Sequence, residues 1–261
     1  IDMSNMFRGA DFNQNIKSWN VQSVTNMESM FDSSLFNQDL STWQVINVKN
    51  MVSMFANSVF NKTISSWRVS NVTNMKNMFK NSEFNQSIST WDVSNVIDME
   101  GMFENSSFNQ PINNWNISNV TNIKNMFKST LFNQNIGSWN TSNVIEISGL
   151  FEDAVSFNQN IFNWDVSKVT DMSRIFAGAT NFNQTIDTWN VSKVTNLSSM
   201  FKNAISFDQD LSSWDVSKVE MMDSTFFNAS EFNQNISNWQ VANVVNMKFM
   251  FSGSKLFNQD I

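Results

Sequence analysis

The sequence predicts an α/β repeat solenoid, a stack of ten units that each carry one short parallel strand and one short α or 3-10 helix. Three observations lead there. The ten tryptophans, Trp19, Trp43, Trp67, Trp91, Trp115, Trp139, Trp164, Trp189, Trp214 and Trp239, recur every 24 residues as far as Trp139 and every 25 thereafter. A fixed period in that range marks a repeat array, in which each unit touches only its neighbours. The residues around each tryptophan recur as well, most clearly in the run FNQSISTWDVSNVIDMEGMF from Phe84 to Phe103.

The strand follows from the centre of that run. Numbering each repeat from its first phenylalanine puts Phe84 at position 1, Trp91 at position 8, Val93 at position 10 and Phe103 at position 20. Positions 8 and 10 are apolar while 7, 9 and 11 are small polar or charged, the period-two pattern of a strand with one buried face. Tryptophan therefore points inward, because a register slip of one residue would expose every indole and bury every serine and asparagine. Equivalent strands follow one another in one direction and are expected to pair in parallel, about 4.8 Å apart.

The helix follows from positions 16, 19 and 20. Met75, Met78 and Phe79 stand at i, i+3 and i+4 behind a Thr-Asn pair able to cap a helix start. Position 2 is asparagine in Asn13, Asn37, Asn61, Asn85, Asn109, Asn133, Asn158, Asn183 and Asn233, with Asp208 the exception, and amides in such a column are expected to satisfy backbone groups at the turns. A small residue recurs before each repeat, from Ser34, Ser58 and Ser82 to Ala154, Ala179 and Ala204, and the residue that lengthens the later repeats falls beside it. All of this gives one array over residues 1–261. Both ends break inside a repeat, so the array is expected to be a piece of a longer protein with its caps elsewhere.

Composition narrows the chemistry. Sixteen basic against 23 acidic residues give a net charge of −7 without a basic block, which argues against nucleic acid or anionic lipid as partner. No apolar run is long enough to span a bilayer. Histidine, cysteine and tyrosine are absent, which removes the commonest general base, the commonest metal ligand and the thiolate nucleophile. A repeat lays identical groups in lines, whereas catalysis needs unlike groups converging, so no enzyme, no metal and no cofactor is expected.

The run MF-x-x-x-x-FNQ-x-I-x-x-W-x-VSNVTNM-x-x-MF, which recurs along the whole chain, resembles the tandem 26-residue repeat of bacterial surface proteins, abundant in mycoplasma surface lipoproteins and related to the BspA-like class of leucine-rich repeats. The resemblance implies a leucine-rich-repeat-like, right-handed coil, a cell-surface or extracellular location with the anchor in another part of the protein, and a role in adhesion or antigenic variation. On the leucine-rich pattern L-x-x-L-x-L-x-x-N, Ile88, Trp91 and Val93 take the leucine places, but Val96 stands where asparagine belongs. That departure leaves a plain parallel β-solenoid as the alternative fold.

Function is then expected on the outer strand face, where solenoids meet partners. Position 7 contributes Thr90 and Asn114; position 9 contributes Asn20, Gln44, Arg68, Asp92, Asn116, Asn140, Asp165, Asn190 and Asp215. At position 12 asparagine gives way to Lys168, Lys193 and Lys218, stacked cations either paired with Asp165 and Asp215 or free to hold an anionic glycan. The face suits a host protein or a glycan. The competing reading is a spacer or variable surface coat whose polar face only keeps the array soluble.

Overall fold

A computed structural model describes residues 1–261. Each repeat lies against the next, and a single core of 76 buried residues runs through the array. Its columns are those of the repeated positions. Trp67 and Trp91 lie parallel with ring centroids 6.4 Å apart, Phe79 and Phe103 5.8 Å apart, and Phe84 and Phe108 6.3 Å apart. Within one repeat Phe79 stacks on Phe84 at 4.0 Å, so the phenylalanine columns interlock. These are offset-stacked spacings, favoured beyond the burial of the rings.

Each indole from Trp43 onward is also tied to the backbone of the preceding repeat. Trp91 Nε1–H donates to the carbonyl oxygen of Ile64 at 3.1 Å, and Trp115 Nε1–H to that of Ile88 at 3.2 Å. A large apolar surface is buried without leaving its one donor unpaired, the condition on which tryptophan enters a core.

The expected strand and helix do not form. No helix is present, and none is therefore long and apolar enough to cross a membrane. Parallel pairing is limited to one residue per repeat, at position 15, through Asn26, Asn50, Asn74, Asp98 and Asn122 and their successors. It lies beside the predicted helix and not at the tryptophan. Around Trp91 the chain turns instead: Trp91 N–H donates to Ile88 O and Val96 N–H to Val93 O. The period-two burial is real, since Trp91 and Val93 are buried and Asp92 between them is exposed, but turns produce it.

The segment expected to be helical is a run of tight turns whose alternate N–H groups leave the repeat. Met75, Asn77, Phe79 and Asn81 donate to Asp98, Glu100, Met102 and Glu104 of the next repeat, while Met78 and Lys80 donate three residues back, to Met75 and Asn77. Asn77 and Asn81 are left-handed, with φ of 55° and 53°, and the same two places are left-handed in every repeat. A left-handed residue every fourth position cannot propagate an α-helix. Three-residue turns nevertheless bury Met75, Met78 and Phe79 together, which is why the spacing resembled a helix.

Asparagine at position 2 forms a ladder. Asn85 Oδ1 accepts from the backbone N–H of Asn109 at 2.9 Å and from Gln110 Nε2 at 3.1 Å. Only the oxygen is used, so Asp208 serves equally, accepting from Asn233 N–H and Gln234 Nε2. Val96, at the place where a leucine-rich repeat has its asparagine, is wholly buried.

Candidate functional site

The predicted face is exposed along its length: Asn20, Gln44, Arg68, Asp92, Asn116, Asn140, Asp165, Asn190 and Asp215 all meet solvent. Most of them also hold their own turn. Asp92 Oδ1 accepts from Ser94 N–H, Asn116 Oδ1 from Ser118 N–H and Asn140 Oδ1 from Ser142 N–H, each at 3.1 Å. Those turns leave the second side-chain atom of each residue directed outward without a protein partner. The backbone N–H of Ser167 first, with the charges of Lys168 and Lys193 adding to it, holds Asp165 below the usual carboxylate range.

Position 7 is committed to the stack. Thr90 Oγ1–H donates to the carbonyl oxygen of Ser65 at 2.6 Å and Asn114 Nδ2–H to that of Ser89 at 2.8 Å, each reaching the preceding repeat. Asparagine at position 12 does the same, Asn95 donating to Ser70 O and Asn119 to Ser94 O. Where lysine replaces it, Lys168 Nζ donates to Asn143 Oδ1 at 2.7 Å, and Lys193 and Lys218 make no hydrogen bond. Neither Asp165 nor Asp215 forms an ion pair with these lysines; the five ion pairs of the molecule lie elsewhere.

A second polar surface lies on the run of turns that stands where the sequence predicts a helix. Over its first half it is a ladder of ion pairs between repeats, Lys76 to Glu100 at 2.8 Å, Lys80 to Glu104 at 2.9 Å and Lys128 to Glu152 at 2.9 Å. The hydrogen bond that Lys76 donates to Glu100 raises Lys76 above its ordinary value. Glu100 is lowered despite burial, because the hydrogen bonds from Lys76 and Asn122 outweigh desolvation. Beyond Glu152 the ladder stops and a groove of about 290 Å³ opens, lined by thirteen residues of which none is apolar. It runs from Lys124 to Asp223 across the junction of the 24- and 25-residue repeats, and Glu146 and Asp171 at that junction do not form the parallel pair seen between other neighbours. A change of character along the column Lys124, Ser148, Ser173, Ser198, Asp223 is the signal that could have found it.

The family model described as "Mycoplasma protein of unknown function, DUF285" matches residues 1–88, 56–164 and 147–261, three tandem spans that together cover the whole chain. No curated protein matches the sequence.

Proposed function

Starting from the fact that this chain belongs to the Mycoplasma DUF285 family of proteins of unknown function, a family of tandem repeats, we propose that it is a non-enzymatic recognition module of the cell surface, binding host protein or glycan along the face that carries Asp92, Asn116, Asn140 and Asp165. The observation that carries the proposal is the line of side chains at position 9, exposed repeat after repeat, most of them, Asp92, Asn116, Asn140 and Asp165 included, fixed by a hydrogen bond from their own turn. Side chains held in this way lose little rotamer freedom on meeting a ligand. Surface location is supported by the likeness of the repeat to those of mycoplasma surface lipoproteins. The non-enzymatic reading is supported by the absence of histidine, cysteine and tyrosine from the chain.

In the same reading the array is a solenoid of the leucine-rich-repeat kind, with a right-handed coil whose strand has shrunk to one paired residue and whose helix is replaced by turns. Backbone pairs between most successive repeats and the phenylalanine column stacked without a gap from Phe7 to Phe251 support it.

A spacer or variable coat is the second reading, favoured by the donors of Thr90, Asn114, Asn95 and Asn119, which are taken up in holding one repeat to the next. One comparison decides between the two: a glycan and host-protein binding screen of the native chain against a variant with Asp92, Asn116, Asn140 and Asp165 all changed to serine. The recognition reading expects a ligand that the variant loses; absence of any ligand for either chain favours the coat.

A further inference from the structure

We propose that the groove between Lys124 and Asp223 binds an acidic oligosaccharide, with Arg174 clasping its carboxylate or sulfate and the serine floor meeting its hydroxyls. This surface is separate from the position-9 face, and the proposal stands or falls independently of that reading.

The groove exists because of a local departure from the repeat. At position 17 the neighbouring repeats place Lys76, Glu100, Lys124, Asp223 and Lys248, whereas Ser148, Ser173 and Ser198 follow one another in the three repeats between. Three short hydroxyl side chains in succession, walled by long charged ones, leave a trough across the stack. From Lys124 to Asp223 the lining spans four repeat spacings of about 4.8 Å, a length of about 19 Å and the reach of a few sugar rings.

Three cations, Lys124, Lys128 and Arg174, face three carboxylates, Glu152, Asp171 and Asp223, in the groove, and they differ in how far they are engaged. Every carboxylate there has an intramolecular partner: Glu152 is paired with Lys128 at 2.9 Å, Asp171 Oδ1 accepts from Ser173 N–H at 2.9 Å, and Asp223 Oδ1 accepts from Ser198 Oγ–H at 2.7 Å. The guanidinium of Arg174 takes part in no hydrogen bond or ion pair and is exposed, and Lys124 forms no ion pair. A free guanidinium is a planar fork of donors matched to a carboxylate or sulfate.

Arg174 also occupies a place that its backbone does not favour. Its φ is 58°, left-handed, where most repeats have asparagine, glycine or serine, as at Asn77, Gly149 and Ser199, and one other has the bulky Phe249. Arg174 alone places a charged side chain there, and a backbone outlier of this kind is a ground for inferring a functional role. The adjoining groove, lined by Glu152, Arg174, Ser199 and Lys202 among others, brings a further ammonium to the other flank of Arg174.

Lining chemistry selects the saccharide over an acidic peptide. With no apolar side chain in the groove a peptide would find no anchor for its side chains. Hydroxyls and amides can instead exchange donors and acceptors with sugar hydroxyls. The net charge of −7 repels long polyanions as a whole, which favours a short ligand with few charges.

The test is calorimetric titration of the native chain with short sulfated, carboxylated and neutral oligosaccharides of equal length and with an acidic peptide, repeated on Arg174→Ser and on a variant with Lys168, Lys193 and Lys218 changed to serine. Serine at position 174 is what two later repeats already carry, so the fold is retained, and an unchanged unfolding midpoint verifies this. The proposal expects the acidic saccharides to bind, the neutral one to bind at least tenfold more weakly, Arg174→Ser to lose at least tenfold, and the triple lysine variant to match the native chain. The sulfated and carboxylated arms tell which anion is preferred. Equal binding of the neutral sugar, an unchanged affinity in Arg174→Ser, binding of the peptide in place of the sugars, or no binding of any probe would overturn it.

Discussion

The backbone N–H of Phe157 donates to the carbonyl oxygen of Ala154 at 3.0 Å. In the shorter repeats the equivalent group, the N–H of Phe84, reaches instead to the hydroxyl of Ser82 at 3.4 Å. The two arrangements never mix: Ser34, Ser58, Ser82, Ser106 and Thr130 supply a side-chain oxygen, and Ala154, Ala179, Ala204 and Ala229 a backbone one. One inserted residue lengthens the turn enough for the main chain to replace the hydroxyl. The inserted residue brings the main-chain bond even where serine remains, as in Phe257 N–H to Ser254 O at 3.3 Å. Ser82→Ala should leave the buried N–H of Phe84 unpaired and destabilise by about 1–3 kcal/mol, whereas Ser82→Ala with one residue inserted after it should recover most of that loss in denaturant unfolding. Equal stability of the single variant and the native chain would contradict the account.

The asparagine ladder makes an asymmetric prediction. Asn133 Oδ1 accepts from Asn158 N–H and Gln159 Nε2, both at 3.0 Å. Asn133→Asp should be nearly neutral, since Asp208 already fills the same role, while Asn133→Leu should cost about 1–3 kcal/mol through the stranded N–H. Urea midpoints measure both.

Glycine is required at one place by its neighbour. Gly149 has φ of 63°, and a Cβ there would overlap Oδ1 of Asn125 in the preceding repeat. Gly149→Ala should destabilise by more than about 1 kcal/mol, and Asn125→Ser should relieve part of it, as the double variant adds back the space. A double-mutant cycle with coupling below about 0.5 kcal/mol would show the two sites to be independent.

Stability should change with pH only at the extremes. Asp165 and Asp210 are held below the ordinary aspartate range chiefly by the backbone N–H groups of Ser167 and Ser212, and Lys76 is held above the ordinary lysine range by Glu100. A depressed carboxylate stabilises above its unfolded value of about 3.9 and loses that contribution as pH falls through the folded value. The raised lysine stabilises below its unfolded value of about 10.4 and loses it as pH rises further. Without histidine or cysteine no side chain titrates between, so the unfolding midpoint should be flat from about pH 5 to pH 9 and fall below about pH 4. A step near pH 6.5 would contradict this.

The buried set was legible in the sequence because burial depends on residue type and spacing, and the Trp91, Val93, Met99 and Phe103 columns express both. The backbone was not. Over four residues a chain of three-residue turns buries the same positions as a helix, and the left-handed places are held by Ser29, Ser53 and Arg174 as well as by asparagine and glycine, so composition does not mark them. Nor does sequence show whether a polar side chain faces outward free or reaches to the next repeat. Thr90 and Asp92 look alike in that respect, yet the first bonds across repeats and the second within its own turn. The groove was missed because its cause is the absence of bulk at Ser148, Ser173 and Ser198, a gap that only the walls around it reveal.

Acrylamide quenching of tryptophan fluorescence tests most directly that the indole rings stand inside, one repeat on the next. Trp43, Trp67, Trp91, Trp115, Trp139, Trp164, Trp189 and Trp214 are all at least 96% shielded, with Trp239 close behind and Trp19 partly exposed. The native chain should therefore show blue-shifted emission and weak quenching apart from a minor accessible fraction, with both lost together on unfolding. Emission and quenching near those of the unfolded chain would place the rings in water and contradict the packing on which the fold and both proposed binding surfaces rest.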